Sequence, residues 1–237
     1  MSVDQHWERN AQAWTAWARE PGHDAFWAYL AAFRDFLPPA GRATLDLGCG
    51  EGRVSRALTA LGHRVTASDV SATLLAAAER SGSAERYRLA DATALPFADG
   101  EFDRVVAYNM LMDVPDMPKA VTEAARVLEP GGVLSLSVVH PFTDRGRFDE
   151  DGVFTVVDDY FATSEFLGEE SRNGLTMRFH GWSHPLQAYT SALADAGLVI
   201  TDLREPVPAE ALSGDQPGLE RWRRIPLFLW INAERSD

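Results

Sequence analysis

Short apolar runs alternate with helix-compatible stretches through the middle of this chain. Residues 43–47 read as a strand that runs into three closely spaced glycines, and 53–61 then carry the spacing of a helix. Residues 63–68 read as a second, buried strand followed by a helix over 73–80. A third strand is predicted at 88–92, a short helical segment at 92–95, and a fourth strand at 102–109. A helix over 117–128 follows, then the breaker Glu129-Pro-Gly-Gly132, then a fifth apolar strand at 133–139. Strands alternating with helices imply a parallel sheet whose right-handed crossovers bury both faces.

The flanks break this rhythm. Residues 1–41 hold four of the seven tryptophans, Trp7, Trp14, Trp17 and Trp27, in two aromatic helical stretches split near Pro21-Gly22. Most of these rings are expected to pack on the core, but so dense a set also makes good walls for a planar ligand. Residues 141–183 are acidic and aromatic, too long for a passive loop, and expected to carry strands of their own. Leaving the carboxyl end of the fifth strand, this insertion can fold over a crevice as a lid, with a dimerisation arm or an unpacked excursion as the alternatives. Residues 184–237 offer a helix over 185–196, strands at 199–204 and 225–233, and a proline-bearing loop, 205–219, able to border a pocket. One domain is expected, divided as 1–41, 42–140, 141–183 and 184–237.

Composition narrows the partners. A net charge of −13, with no basic run longer than Arg221-Trp-Arg-Arg224, argues against a nucleic-acid substrate, which would need its phosphates neutralised. The single cysteine, Cys49, precludes an internal disulfide and suits a reducing cytoplasm. No apolar stretch is long enough to span a bilayer, so no membrane association is expected.

The tract Asp46-Leu-Gly48-Cys-Gly50-Glu-Gly52-Arg53 carries the most chemistry. A strand-to-helix turn of glycines lets a ligand lie against bare backbone. Its spacing is G-x-G-x-G, and Arg53 stands where a dinucleotide fingerprint would want its third glycine. Asp46 would repel a phosphate but suits a ligand with a cationic amino group. Asp69, nineteen residues past Gly50, ends the second strand where a carboxylate can accept both ribose hydroxyls of an adenosine. Asp91, ending the third strand, is placed to meet an adenine amino group.

These motifs resemble the class I S-adenosylmethionine-dependent methyltransferases. DLGCGEG is similar to their first motif, Ser68-Asp69-Val70 to their ribose position, and Ala90-Asp91-Ala92 to their adenine position. Leu128-Glu-Pro-Gly-Gly-Val133 is similar to their LxPGG turn. The resemblance implies a Rossmann-like α/β fold with a seven-stranded, mostly parallel sheet, helices on both faces, an N-terminal helical cap and an inserted lid. It implies that the last two strands form an antiparallel edge hairpin, the final one beside the fifth. It further implies S-adenosyl-L-methionine as cofactor, held by Asp46, Gly48, Gly50, Asp69, Val70, Asp91 and Ala92, with Asn109 beside its methionine part. The expected activity is methyl transfer to an O or N atom of a small-molecule acceptor. An NAD-linked oxidoreductase on the same crevice and a non-catalytic cofactor-binding protein remain as alternatives.

Methyl transfer from a sulfonium needs alignment and sometimes a base. His140, ending the fifth strand, is the candidate base, with an equally weighted role in satisfying the strand-end backbone. Trp14, Tyr108, His140 and Phe142 are candidate acceptor contacts, Tyr108 being as readily a core residue. Asp113 can orient an acceptor or, more plainly, cap the following helix. His180 and His184 lie four apart, but Gly181 and Pro185 break the helix that would align them on a metal, and no metal is expected. Cys49 is read as a small space-filler.

Overall fold

The computed structural model describes residues 3–209 and 217–236; residues 210–216 of the proline-bearing loop lie outside them. In chain order the elements are α1 (Val3–Arg19), α2 (Phe26–Phe36), β1 (Thr44–Leu47), α3 (Arg53–Ala60), β2 (Val65–Asp69), α4 (Ala72–Arg80) and β3 (Arg86–Leu89). Then come β4 (Phe102–Tyr108), α5 (Met117–Val127), β5 (Leu128–Val139), β6 (Gly146–Phe148), β7 (Phe154–Val156), β8 (Ser164–Arg172) and β9 (Leu175–Ser183). The chain closes with α6 (Leu186–Asp195), β10 (Leu198–Arg204) and β11 (Phe228–Arg235).

One seven-stranded sheet runs in the order β10-β11-β5-β4-β1-β2-β3. The pairs among β1 to β5 are parallel, and β11 lies antiparallel between β5 and β10. The edge hairpin and the insertion of the last strand beside the fifth are therefore present. Alternation along β4 divides its side chains: Val105 and Ala107 face the cluster that takes Val121 and Ala124 of α5 and Leu193 of α6. Val106 and Tyr108 face the cluster that takes Phe26 and Phe33 of α2 and Leu58 of α3. Residues 1–41 thus divide in two. Helix α2 is a sheet-covering layer, its Phe33 ring 4.7 Å from Tyr108 and 5.3 Å from Trp230 between centroids. A buried bridge secures its end: Ser135 Oγ donates to Asn232 Oδ1 at 2.6 Å, and Asn232 Nδ2 donates to the Phe36 carbonyl at 3.1 Å. Helix α1 lies over the carboxyl ends of the strands and forms the cap.

Two strands depart from their expected bounds for visible physical reasons. Strand β5 begins at Leu128, so the Pro-Gly-Gly tract lies inside it. The tract is accommodated at a register shift against Phe102 and Arg104, where Gly131 adopts φ 74° and proline's missing N–H breaks no ladder bond. Strand β3 ends at Leu89, and the segment expected as helix at 92–95 is a turn. Asp91 folds that turn by accepting from Thr93 N at 2.8 Å while Ala94 N donates to its carbonyl at 3.0 Å.

The insertion holds the two-stranded β6-β7 and the longer hairpin β8-β9. Asn173-Gly174, at φ 50° and 78°, makes the two-residue turn between β8 and β9; an Asn-Gly pair between strand-like runs is a hairpin signal that the reading above passed over. Arg145 fastens the hairpin's base. Buried beside the end of β5, its guanidinium donates to Ser164 Oγ at 2.5 Å, to the Ala162 carbonyl, and to the Ser183 carbonyl at 2.8 Å.

Candidate active site

The carboxyl ends of β1, β2 and β4, helix α1 and the β8-β9 hairpin enclose one cavity of about 1540 Å³. Ligand pockets commonly measure roughly 300–1,000 Å³, so this one has room for a cofactor and an acceptor together.

The glycine turn forms its floor. Gly48 (φ 69°) and Gly50 (φ 57°) occupy the left-handed region that side chains disfavour. A Cβ at Gly48 would stand 2.8 Å from Met110 Cβ, and one at Gly50 would stand 3.0 Å from Trp14 Nε1. The turn is bare because the space above it is reserved. Asp69 ties it to β2, accepting from Gly50 N and Ser71 N at 2.8 Å each. Burial raises the Asp69 carboxyl to about 6, against the pull of those amides. Each carboxylate oxygen still has a lone pair for a hydroxyl. Val70, Asp91 and Ala92 line the same half. Asn109 lines it in a strained conformation (φ 49°), with its amide donating to the Ser137 carbonyl at 2.7 Å. Ser137 Oγ donates to Asn109 Oδ1 at 2.7 Å, which leaves the Nδ2 donors available. Bare glycine backbone, a ribose-competent carboxylate and a fixed amide form a cradle that fits S-adenosylmethionine.

Arg53 explains its own place in the motif. Its guanidinium donates to Asp24 Oδ2 at 2.6 Å and lies 4.8 Å from the Trp14 ring centroid and 4.3 Å from that of Phe26. A glycine there would forfeit the ion pair and both cation–π contacts, which join the loop between α1 and α2 to the core. Helix α1 is held too by Glu8, which accepts from Ser71 Oγ at 2.6 Å and Thr73 Oγ1 at 2.5 Å.

Three expected residues stand away from the cavity wall. The Asp46 carboxylate is buried behind the turn, where Ser55 Oγ of α3 donates to it at 2.5 Å; burial raises it to about 7. His140 is buried between β5 and β11: Phe142 N donates to its Nδ1 at 3.2 Å, and its Nε2 meets Glu205 Oε1 at 2.9 Å. Burial lowers the imidazole's proton affinity although Glu205 opposes the shift. Its only lone pair being engaged by a backbone amide, the ring has none left for an acceptor's proton, and the strand-end role is the one it fills. Phe142 points out of the cavity and packs on Phe154, 5.4 Å between centroids.

Trp14 and Tyr108 line the cavity. So do residues whose sequence reading was plainer or absent. The α5 cap is Asp116, accepting from Lys119 N at 3.2 Å. That frees Asp113, which faces the cavity with Asp144, a residue with no sequence signal at all. Burial raises both carboxyls, Asp113 well above the usual range, and each of Asp69 and Asp144 raises it further. On the hairpin, His180 meets Glu165 Oε1 through Nε2 at 2.6 Å. Among the described residues no group of three or more potential ligands could hold a metal ion.

The chain is similar to known methyltransferases. Residues 45–136 match the family described as "Methyltransferase domain". Over 95 residues the chain is 41% identical to a malonyl-[acyl-carrier protein] O-methyltransferase of Enterobacter lignolyticus, covering 40% of this chain and 38% of that one. Over 114 residues it is 40% identical to a demethylmenaquinone methyltransferase of Clavibacter sepedonicus, covering 47% and 46%. The chain thus spans less than half the length of these curated relatives. A crystal structure of an S-adenosylmethionine dependent methyltransferase from Mesorhizobium loti superposes with a TM-score of 0.70 at 26% identity, covering 90% of this chain and 98% of that one.

Proposed function

Because the chain belongs to the class I S-adenosylmethionine-dependent methyltransferases, we propose that it methylates an O or N atom of a small metabolite. The observation that carries this reading is the single cavity in which the glycine turn and Asp69 lie at one side and the β8-β9 hairpin at the other. When bound, S-adenosylmethionine supplies a methyl group activated by a sulfonium.

The chain's residues then have distinct tasks. Asp69 and the backbone of Gly48 and Gly50 hold the adenosine end, Val70, Asp91 and Ala92 bound the adenine, and Asn109 positions the amino-acid end. Asp46 acts indirectly, by fixing the start of α3 through Ser55. Trp14 and Tyr108 wall the space between cofactor and acceptor. The hairpin, seated on α1 through His6 Nε2 and the Arg178 carbonyl at 3.0 Å, keeps water from the reacting atoms. Alignment of the two reactants supplies most of the acceleration. The enclosed cavity favours a small acceptor over a nucleic acid, and the lone buried Cys49 fits a cytoplasmic setting. Among the described residues no helix is long and apolar enough to cross a membrane.

Calorimetric titration with S-adenosylhomocysteine and with NAD tests the reading. Binding of the first and not the second is expected; the reverse order would replace this reading with the oxidoreductase one.

A further inference from the structure

The cavity's carboxylates are not equally satisfied. Asp24 is paired with Arg53 at 2.6 Å and Glu165 with His180 at 2.6 Å. Asp69 is bonded by two backbone amides. Asp113 accepts no hydrogen bond and has no ion pair among the described residues, whereas Asp144 is bonded by the Ser183 side chain and feels the Arg145 charge without pairing with it. Arg145, the natural partner for Asp144, has turned its fork to the hairpin's base. The phenol of buried Tyr189 lies in the field of both carboxyls.

Their surroundings also favour a positive ligand. A Cβ at Gly181 would stand 3.0 Å from Asp113 Oδ1 and 3.0 Å from the Phe166 ring, so carboxylate and ring share one small space. Trp182, on the other face of β9, also lines the cavity. So does His180, 5% exposed, whose Nδ1 has no hydrogen-bond partner. A solvated surface would not leave these polar atoms unmatched; a ligand group is what completes them.

Building on the methyltransferase reading, we propose that the acceptor half of the cavity is shaped for a molecule carrying a protonated amine, held by Asp113 and Asp144 against the ring of Phe166. Two carboxyls in a mostly apolar chamber resist ionising together, and one ammonium lets both carry their charge. Its N–H groups satisfy Asp113, and the aromatic wall attracts the same charge. A neutral hydroxyl would satisfy one lone pair and supply no charge to stabilise the ionised pair. The carboxylate can also take up the proton that an ammonium must lose before its nitrogen has a lone pair to offer.

The test uses the purified protein saturated with S-adenosylhomocysteine and three probes of one shape: phenethylamine, 2-phenylethanol and 3-phenylpropionate. Tryptophan fluorescence reports binding, since Trp7, Trp14 and Trp182 line the cavity. The amine is expected to bind at least about tenfold more tightly than the alcohol or the carboxylate, as charge-assisted contacts do. Asp113→Asn should remove most of that preference while leaving alcohol and S-adenosylhomocysteine affinities within about threefold. An alcohol or carboxylate bound as tightly as the amine, or an amine that does not bind, overturns the proposal. So does a preference untouched in both Asp113→Asn and Asp144→Asn. If a variant fails to fold, the wild-type ranking alone decides. Absence of S-adenosylhomocysteine binding by the wild type would instead overturn the methyltransferase reading beneath it.

Discussion

The amide of Gly50 donates to Oδ2 of Asp69 at 2.8 Å, tying the bare turn after β1 to the tip of β2. One carboxylate thereby shapes the floor of the cavity and keeps lone pairs free, which on the proposed reading take a ribose. Replacing it damages both. In Asp69→Ala two backbone amides lose their acceptor and the ribose hydroxyls lose theirs. S-adenosylhomocysteine affinity is expected to fall more than tenfold, about 2 kcal/mol, by calorimetry. An unchanged affinity would detach Asp69 from the cofactor.

The same carboxyl sets a pH dependence. With Asp69 raised to about 6, S-adenosylhomocysteine affinity should fall as pH drops through 6, because a protonated oxygen loses an acceptor. The free protein responds with the opposite sign. The stabilising proton uptake by Asp69 and Asp46 is fully present below the unfolded carboxyl value of about 4. It is lost as pH rises through about 6 for Asp69 and about 7 for Asp46. Affinity titrations of wild type and Asp69→Asn between about pH 5 and about pH 7, one unit either side of the Asp69 value, check the point. The wild-type fall should be missing from the variant.

His140 is expected to be dispensable for chemistry. Loss of a general base costs about 10² to 10⁴-fold, whereas His140→Gln should keep kcat within about threefold of wild type. Its cost should appear in stability, on the order of 1 kcal/mol for the disturbed Glu205 and Phe142 contacts. Steady-state kinetics beside urea unfolding separates the two. A hundredfold fall in kcat with unchanged stability would restore His140 as the base.

Gly181 is where the hairpin presses on the core. A Cβ there would stand 2.9 Å from the Met112 carbonyl as well as 3.0 Å from Asp113 Oδ1. Gly181→Ala should lift the hairpin and lower acceptor turnover at least about tenfold, since misplacement by about 1 Å can cost 10²-fold. S-adenosylhomocysteine affinity should stay within a few-fold. Equal losses in both would make the hairpin part of the cofactor site.

The glycine-turn half of the cavity was legible because its signals are local. Strand, glycine turn and helix follow one another from Thr44 to Ala60, and Asp69 sits at a strand tip that the apolar pattern itself defines. The hairpin half was not, because distant parts of the chain assemble it. Asp113 meets Gly181 across a hairpin whose placement depends on Arg145 and α1. His140 read as a base because nothing near it in sequence showed that Glu205 would take its Nε2. Asp46 read as a ligand contact because its strand position was visible and the inward turn of its side chain toward Ser55 was not. Arg53, conspicuous only as a missing glycine, found its reason in Asp24, Trp14 and Phe26.

The central claim is methyl transfer to a small acceptor, and a transfer assay tests it most directly. The protein is incubated with methyl-labelled S-adenosylmethionine and a low-molecular-mass metabolite extract, and the products are resolved by mass. The expected result is protein-dependent label in a small product, with S-adenosylhomocysteine formed in equal amount. Label confined to macromolecules, or cofactor bound without any turnover across such extracts, would contradict it.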